Sequence, residues 1–325
     1  MEKLAMGLCS SIKEKAGRNP VLLLISGGVD STVVAALLLK ALDPGQVHLV
    51  YIDTGLMRKD ETVNVRKSLG QLGAKNLHII HCEDEFLLAL KGLDDPEAKR
   101  KAIGDLFVII QERETRRLGL MNCILAQGTI YPDVIESGRA GTAGFVKSHH
   151  NVGSPLVDAK RKAGLVIEPL EKLNKEEVRA LGRFLGVEDE VLRRHPFPGP
   201  GLAVRILGEV TKDKCDILRE ADAIYMEELK KRRGKTGHRL YDEIWQAFAV
   251  LLPIRSVGIS GSQRKYGWVL ALRAITSTDA MTATVYPFEM KDLLEISSRI
   301  TETVKEIGRV SYDISSKPPA TIEWE

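Results

Sequence analysis

The sequence has few cysteines, no long hydrophobic run and no excess of charge of either sign. Four cysteines in 325 residues (Cys9, Cys82, Cys123 and Cys215) are widely scattered and form no CxxC pair. A zinc site or a disulfide framework is therefore not expected, and a reducing cytoplasm suits the chain best. No apolar stretch reaches the length of a membrane span. Asp30 interrupts the run at 22–39, and Pro253 and Arg255 end the one at 247–252. The first residues, MEKLAMGLCSSIKEK, lack the apolar core of a secretory signal, so no leader is expected. Lys and Arg number 47 against 44 Asp and Glu, a net charge of +3, which is too balanced to call for nucleic acid. There is no internal repeat and no low-complexity tract.

What is present is a globular composition. Hydrophobic residues make up 44% and the mean hydropathy is −0.09, in a chain long enough for two domains. Short apolar runs at Val21–Ile25, Val47–Asp53, Leu77–His81 and Cys123–Gln127 predict strands. Helical stretches at Thr32–Leu42, Glu61–Leu72, Glu85–Leu90 and Glu97–Arg117 separate them. This alternation predicts an α/β fold, a parallel sheet with helices on both faces. Ligands of such sheets sit beyond the carboxyl ends of the strands. Three of these strands end in polar turns, Ser26-Gly27-Gly28, Asp53-Thr54-Gly55 and Gln127-Gly128-Thr129, which would share one rim.

Residues 138–155, rich in glycine and small side chains, read as a lid or a disordered loop. A helix is predicted at Lys175–Leu185. The densest punctuation is His195-Pro-Phe-Pro-Gly-Pro-Gly-Leu202, expected to be a stiff, extended linker with the domain boundary near residue 200. Beyond it, helices are predicted at Lys212–Lys231, Tyr241–Leu251 and Phe288–Ile307. Strands at Ser256–Ser260, Trp268–Ile275 and Arg309–Ser315 complete a small α+β domain.

Between the first strand and its helix lies Ser26-Gly27-Gly28-Val29-Asp30-Ser31. A tight turn into a helix leaves backbone N–H groups free, and these attract anions. The segment has neither the Lys-Ser/Thr of a Walker loop nor the dinucleotide pattern GxGxxG. A packing turn is the plain alternative. Asp30 argues for more: a carboxylate there would repel phosphate unless Mg²⁺ bridged the two. Ser26 and Ser31 add hydroxyl donors.

SGGVDS resembles the PP-loop of the N-type ATP pyrophosphatases, which release pyrophosphate from ATP. Five further segments sharpen the likeness: DPEAKRKAIG (95–104), QGTIYPDVIES (127–137), KSHHNVG (147–153), RHPFPGPGL (194–202) and SKPPATIEWE (316–325). Together they resemble the ATP-pyrophosphatase portion of the GMP synthetase family over essentially the whole chain. The resemblance implies a PP-loop domain of the adenine nucleotide α-hydrolase-like kind over 1–200. A smaller α+β dimerisation and XMP-binding domain would follow over 201–325. Only 25 residues precede Ser26, so the two-subunit arrangement is expected, in which a separate glutamine amidotransferase delivers ammonia. The implied reaction is amination of XMP to GMP through an adenyl-XMP intermediate, with release of AMP and pyrophosphate.

Site residues follow from that resemblance. Ser26, Gly27, Gly28, Val29, Asp30, Ser31 and Thr32 would hold ATP, and Asp30 and Asp133 would contact Mg²⁺. Asp53 would meet the ATP ribose or adenine, or else cap the turn at Thr54-Gly55. Lys147 would neutralise transition-state charge, and His149 and His150 would donate to phosphates, unless that loop is simply solvated. Arg100, Lys317, Thr321 and Glu323 would bind XMP, with Lys317 on its phosphate and Glu323 accepting from a purine N–H. The alternatives are a solvated helix face for Arg100 and a tail merely packed by Trp324. Rival readings are less well served. A tRNA-thiolating relative wants paired cysteines and a basic face, and an RNA-binding module of the KH type wants a GxxG clamp between helices. A homodimer is implied, with no membrane and no nucleic acid partner.

Overall fold

The computed structural model describes residues 1–131, 133, 155–260, 263–278 and 280–325. By compactness the chain divides into two units. One comprises Met1–Asp53, Asp60–Cys82 and Gly104–Arg194; the other comprises Thr54–Lys59, Glu83–Ile103 and His195–Glu325. The boundary thus lies between Arg194 and His195, a few residues before the expected position, and two earlier segments belong with the second unit.

In the first unit the short apolar runs form parallel strands, of which the central ones, at Val21–Ile25, Val47–Asp53 and Ile124–Ala126, are largely buried on both faces. The strands are β1 (Val21–Ile25), β2 (Val47–Asp53), β3 (Asn76–His81), β4 (Ile124–Ala126) and β5 (Val166–Ile167), in the order β3-β2-β1-β4-β5. Val21 pairs with Val47 on one side and Ile124 on the other. The order reverses between β1 and β4, so the crevice at this switch point opens beyond Ile25 and Ala126. The first two strands match their predicted bounds. The two-residue β5 was not foreseen, being too short to show a period.

Helix α2 (Val29–Ala41) is buried from Ser31 through Leu38, as expected of a helix apolar on every side. Helix α1 (Glu2–Ala16), not predicted, lays Leu4, Ala5, Leu8 and Ile12 against the same core at helical spacing. Helix α3 covers Glu61–Gln71. A helix at Lys175–Phe184 starts with a capping box in which Asn174 accepts from Glu177 N–H and the Glu177 carboxylate accepts from Asn174 N–H.

The second unit is built on two long antiparallel strands, β6 (Gln246–Ser260) and β7 (Gln263–Thr276), with β8 (Thr284–Val285) antiparallel and β9 (Ile307–Tyr312) parallel to β7. The helix expected at Tyr241–Leu251 is a correction: only Leu240–Glu243 is helical, and Gln246 onward is strand. A continuous apolar run suits a buried strand as well as a buried helix, and pairing with β7 decides it. Pro253 falls where the register shifts between Leu251 and Arg255, the place a strand tolerates proline. Only the last two residues of the expected linker take up regular structure. Gly201–Arg205 form a short 3-10 helix, every residue of it buried, anchored by Leu202 N–H on Leu56 O at 2.7 Å. Among the described residues no helix is long and apolar enough to cross a membrane.

Candidate active site

The phosphate loop leaves β1 at the switch point. Gly27 adopts φ +76°, and a Cβ there would lie 2.6 Å from Glu61 Oε1. Its carbonyl accepts from Arg194 Nη1 at 2.8 Å, and Arg194 also forks onto both oxygens of the buried Glu61. Sequence reasoning named neither residue. Their signals were an unexplained acid at the start of α3 and the arginine before the proline-rich segment. Ser26 Oγ accepts from Gly28 N–H at 3.2 Å and lies 3.1 Å from Ser31 Oγ. Thr32 Oγ1 donates to Gly28 O at 2.8 Å. Gly28, with extended φ and ψ, is the N-cap of α2 and supplies no side-chain cap. The first-turn N–H groups therefore remain available to an anion. Of the residues expected to hold ATP, Gly28 turns its N–H onto Ser26.

The end of β4 closes the other side. A Cβ on Gly128 would sit 3.2 Å from Ser31 N, so this turn lies close against the loop and a larger residue there would press on it. Asp133 follows, exposed, with one oxygen accepting from Ile130 N–H at 3.0 Å. Burial and then the Asp133 charge push the Asp30 carboxyl up to about 6, while Lys175 and Arg179 pull the other way. Asp30 and Asp133 are two carboxylates that could each offer an oxygen to a cation. No group of three or more His, Cys, Asp or Glu that could hold a metal occurs among the described residues. Phosphate oxygens would have to supply the rest, as is usual for Mg²⁺. Lys175 and Arg179, also missed by sequence reasoning, add cationic charge beside Asp30.

Asp53 accepts from Thr62 Oγ1 at 2.7 Å, and His81 Nδ1 lies 3.3 Å from the same oxygen. The adjoining turn has its own cap, Leu56 N–H donating to Thr54 Oγ1. Lys147, His149 and His150 lie outside the described residues. Burial raises the thiols of Cys9, Cys123 and Cys215, the last to about 12, so none of these three is a poised nucleophile.

The tail residues assigned to XMP belong to the second unit. Glu323 accepts from Arg205 through both oxygens and from Gln246. Arg273, fully buried, donates to Thr321 O, Ile322 O, Ser315 O and the Asp313 carboxylate. Lys99, also fully buried, meets the Glu325 carboxylate, and Arg100 donates to the Glu325 main-chain oxygen. Arg100 is thus brought to the end of the tail. Lys317 lies elsewhere on the unit, bridging Ala283 through its backbone and donating from Nζ to Ala280 O at 2.8 Å. Trp324 is partly exposed and donates to Asp313, so buried cations, and not this indole, hold the tail.

Residues 235–324 match the family described as GMP synthase C terminal domain, and residues 9–108 match the one described as asparagine synthase. A GMP synthase [glutamine-hydrolyzing] of Bdellovibrio bacteriovorus is 53% identical over 98% of this chain and 61% of its own length. That of Eremothecium gossypii is 50% identical over 93% of this chain and 56% of its own. The chain therefore spans about 60% of the length of the curated relatives it matches. Among solved structures, an NMN synthetase from Francisella tularensis is similar with a TM-score of 0.46 and 14% identity, over 73% of this chain and 89% of that one. The C-terminal part of the chain thus matches the GMP synthase C terminal domain, and nearly the whole chain is similar, at about 50% identity, to part of these GMP synthases.

Proposed function

We propose that the chain is the ATP-pyrophosphatase part of a GMP synthase and aminates XMP to GMP. The observation that carries this is the phosphate loop, an uncapped helix start at the switch point with Asp30 and Asp133 beside it. The carbonyl oxygen on carbon 2 of XMP attacks the α-phosphorus of ATP. As that bond forms, the α–β bridge breaks and pyrophosphate leaves with the electron pair. Ammonia then attacks carbon 2 and loses a proton, and AMP departs with the former carbonyl oxygen.

This chemistry asks for positioning and charge neutralisation more than for a nucleophile. The α2 N-terminus would hold phosphate oxygens, and Lys175 and Arg179 would offset their charge. Asp30 and Asp133 are the residues suited to Mg²⁺, which when bound neutralises charge on the pyrophosphate. From the family resemblance, Lys147, His149 and His150 would act on the phosphates, and Asp53 would meet the ATP ribose or adenine. Arg100, Lys317, Thr321 and Glu323 would bind XMP.

Ammonia would come from a separate glutamine amidotransferase, and two copies would pair through the second unit. Exposed apolar side chains on β6 and β7 (Ile254, Val257, Ile259 and Tyr266) suit such pairing. Four free cysteines suit a reducing cytoplasm.

The test is to supply XMP, ATP, Mg²⁺ and ammonium salt and to measure pyrophosphate and GMP together. Equal yields of both, dependent on XMP, are expected. Pyrophosphate release that is indifferent to XMP would contradict the reading.

A further inference from the structure

Among the described residues, Arg205 is, with Arg273, one of two arginines that the second unit buries completely, and its surroundings are not those of a stabilising ion pair. Its guanidinium stacks between Phe248, at 4.2 Å from the ring centre, and Phe197, at 4.9 Å. Nε donates to Glu323 Oε2 at 3.0 Å and Nη2 to Oε1 at 2.8 Å. Nη1 is buried with no hydrogen-bond partner among the described residues. A buried ion pair is often no better for stability than apolar residues of the same volume, and an orphaned donor makes it worse. What the arrangement does supply is direction. Two parallel N–H bonds fix the plane of the Glu323 carboxylate, and Gln246, itself buried, adds a third donor to Oε1 at 2.8 Å.

We propose that Arg205 and Gln246 are positioning residues that aim one remaining acceptor of Glu323 at the purine ring. This rests on the reading of Glu323 as the group that accepts from a purine N–H. A carboxylate has room for about four donors, two on each oxygen. Oε1 already takes two and Oε2 takes one, which leaves one acceptor direction on Oε2. The Glu323 side chain is 17% exposed, so that direction can be reached. An acceptor in a fixed plane reads a ring N–H, such as an oxopurine carries. It opposes a ring nitrogen that is itself an acceptor, such as adenine presents. The base is thus selected by geometry set before substrate arrives.

The experiment is calorimetric titration of the full chain with XMP and, separately, with Mg²⁺-ATP. Variants are Glu323→Gln, Gln246→Leu, Arg205→Lys and the double variant Glu323→Gln/Gln246→Leu. Gln246→Leu removes no charge and keeps a side chain of similar size, so it serves should Arg205→Lys fail to fold. Glu323→Gln should weaken XMP by about 10- to 100-fold, the usual effect of losing a charge-assisted bond. Gln246→Leu and folded Arg205→Lys should weaken XMP by about 3- to 10-fold. Both should leave ATP affinity at its wild-type value, a split that general loosening would not produce. In the double variant, Gln246→Leu should add nothing to the loss from Glu323→Gln. Wild-type XMP affinity in Gln246→Leu and Arg205→Lys, or losses that simply add, would overturn the positioning role while the Glu323 reading stands. Wild-type XMP affinity in Glu323→Gln would remove that reading, and the positioning role with it.

Discussion

The phosphate loop and the C-terminal tail handle polar groups in opposite ways. At the loop, α2 begins without a side-chain cap, and Asp30 is held where burial and Asp133 oppose its charge. At the tail, three fully buried cations, Lys99, Arg205 and Arg273, meet carboxylates and carbonyls from Asp313 to Glu325. One region keeps its bonding capacity for a ligand, whereas the other has spent most of it on its own backbone. On the proposed reading, a loop that grips a triphosphate would gain from unsatisfied groups, and a tail that reads a base would gain from being fixed in advance.

Breaking the tail should have the largest effect. Removing residues 316–325 strands Arg205 and Lys99 without their carboxylates and takes one main-chain acceptor from Arg100 and two from Arg273. Each uncompensated buried charge costs about 3–5 kcal/mol. The second unit should then lose cooperative thermal unfolding, measured by calorimetry. A truncated chain that melts like the full one would show that these pairs hold nothing.

Asp30→Asn should sharpen the contrast at the loop. Pyrophosphate release should fall by at least about 100-fold, through loss of a group that positions charge-stabilising metal. Without Mg²⁺, however, the variant should be more stable at pH 7. Asp30, raised to about 6, contributes its full stability below its unfolded value and loses it as pH rises through about 6. Above pH 6 the ionised group costs about 2–3 kcal/mol that asparagine avoids. Denaturant melts at pH 7 read this; a destabilised variant would mean Asp30 is a structural residue.

His195 gives a smaller, gradual effect. It stacks on Tyr241, its Nδ1 accepts from Ala247 N–H, and its Nε2 therefore carries the proton given to Tyr241 O at 2.8 Å. Burial pushes it down to about 4. Its contribution is complete above pH 6.5 and is lost as pH falls toward 4, reaching at most about 3 kcal/mol. NMR titration should find this ring neutral at pH 5. A midpoint near 6.5 would contradict the burial argument.

Much of the first unit was legible because its signals are local. Val21–Ile25 and Val47–Asp53 are short apolar runs flanked by turns, and Gly27-Gly28 marks where a strand hands over to a helix. The β6 strand was not, because Ala247–Leu252 has no period to distinguish helix from strand and only its pairing with β7, the next strand, decides it. Within the site, Asp30 announced itself by position, but Arg194 and Glu61 are separated by more than a hundred residues and meet only through the fold. Arg205 and Arg273 carried no mark at all. In the sequence they are ordinary arginines in apolar surroundings, and only burial shows what they hold.

On the proposed reading the loop serves ATP and the tail serves XMP. Titrating Lys317→Ala with XMP and with a non-hydrolysable ATP analogue plus Mg²⁺ tests it most directly. Among the described residues the Lys317 side chain gives one hydrogen bond, to Ala280 O, and the backbone bridge to Ala283 survives an alanine, so the substitution should leave the tail in place. XMP binding should weaken by about 1.5–3 kcal/mol, the range for a charge-assisted bond, with the ATP analogue bound as by wild type. Equal weakening of both nucleotides, or none of either, would contradict the division of labour.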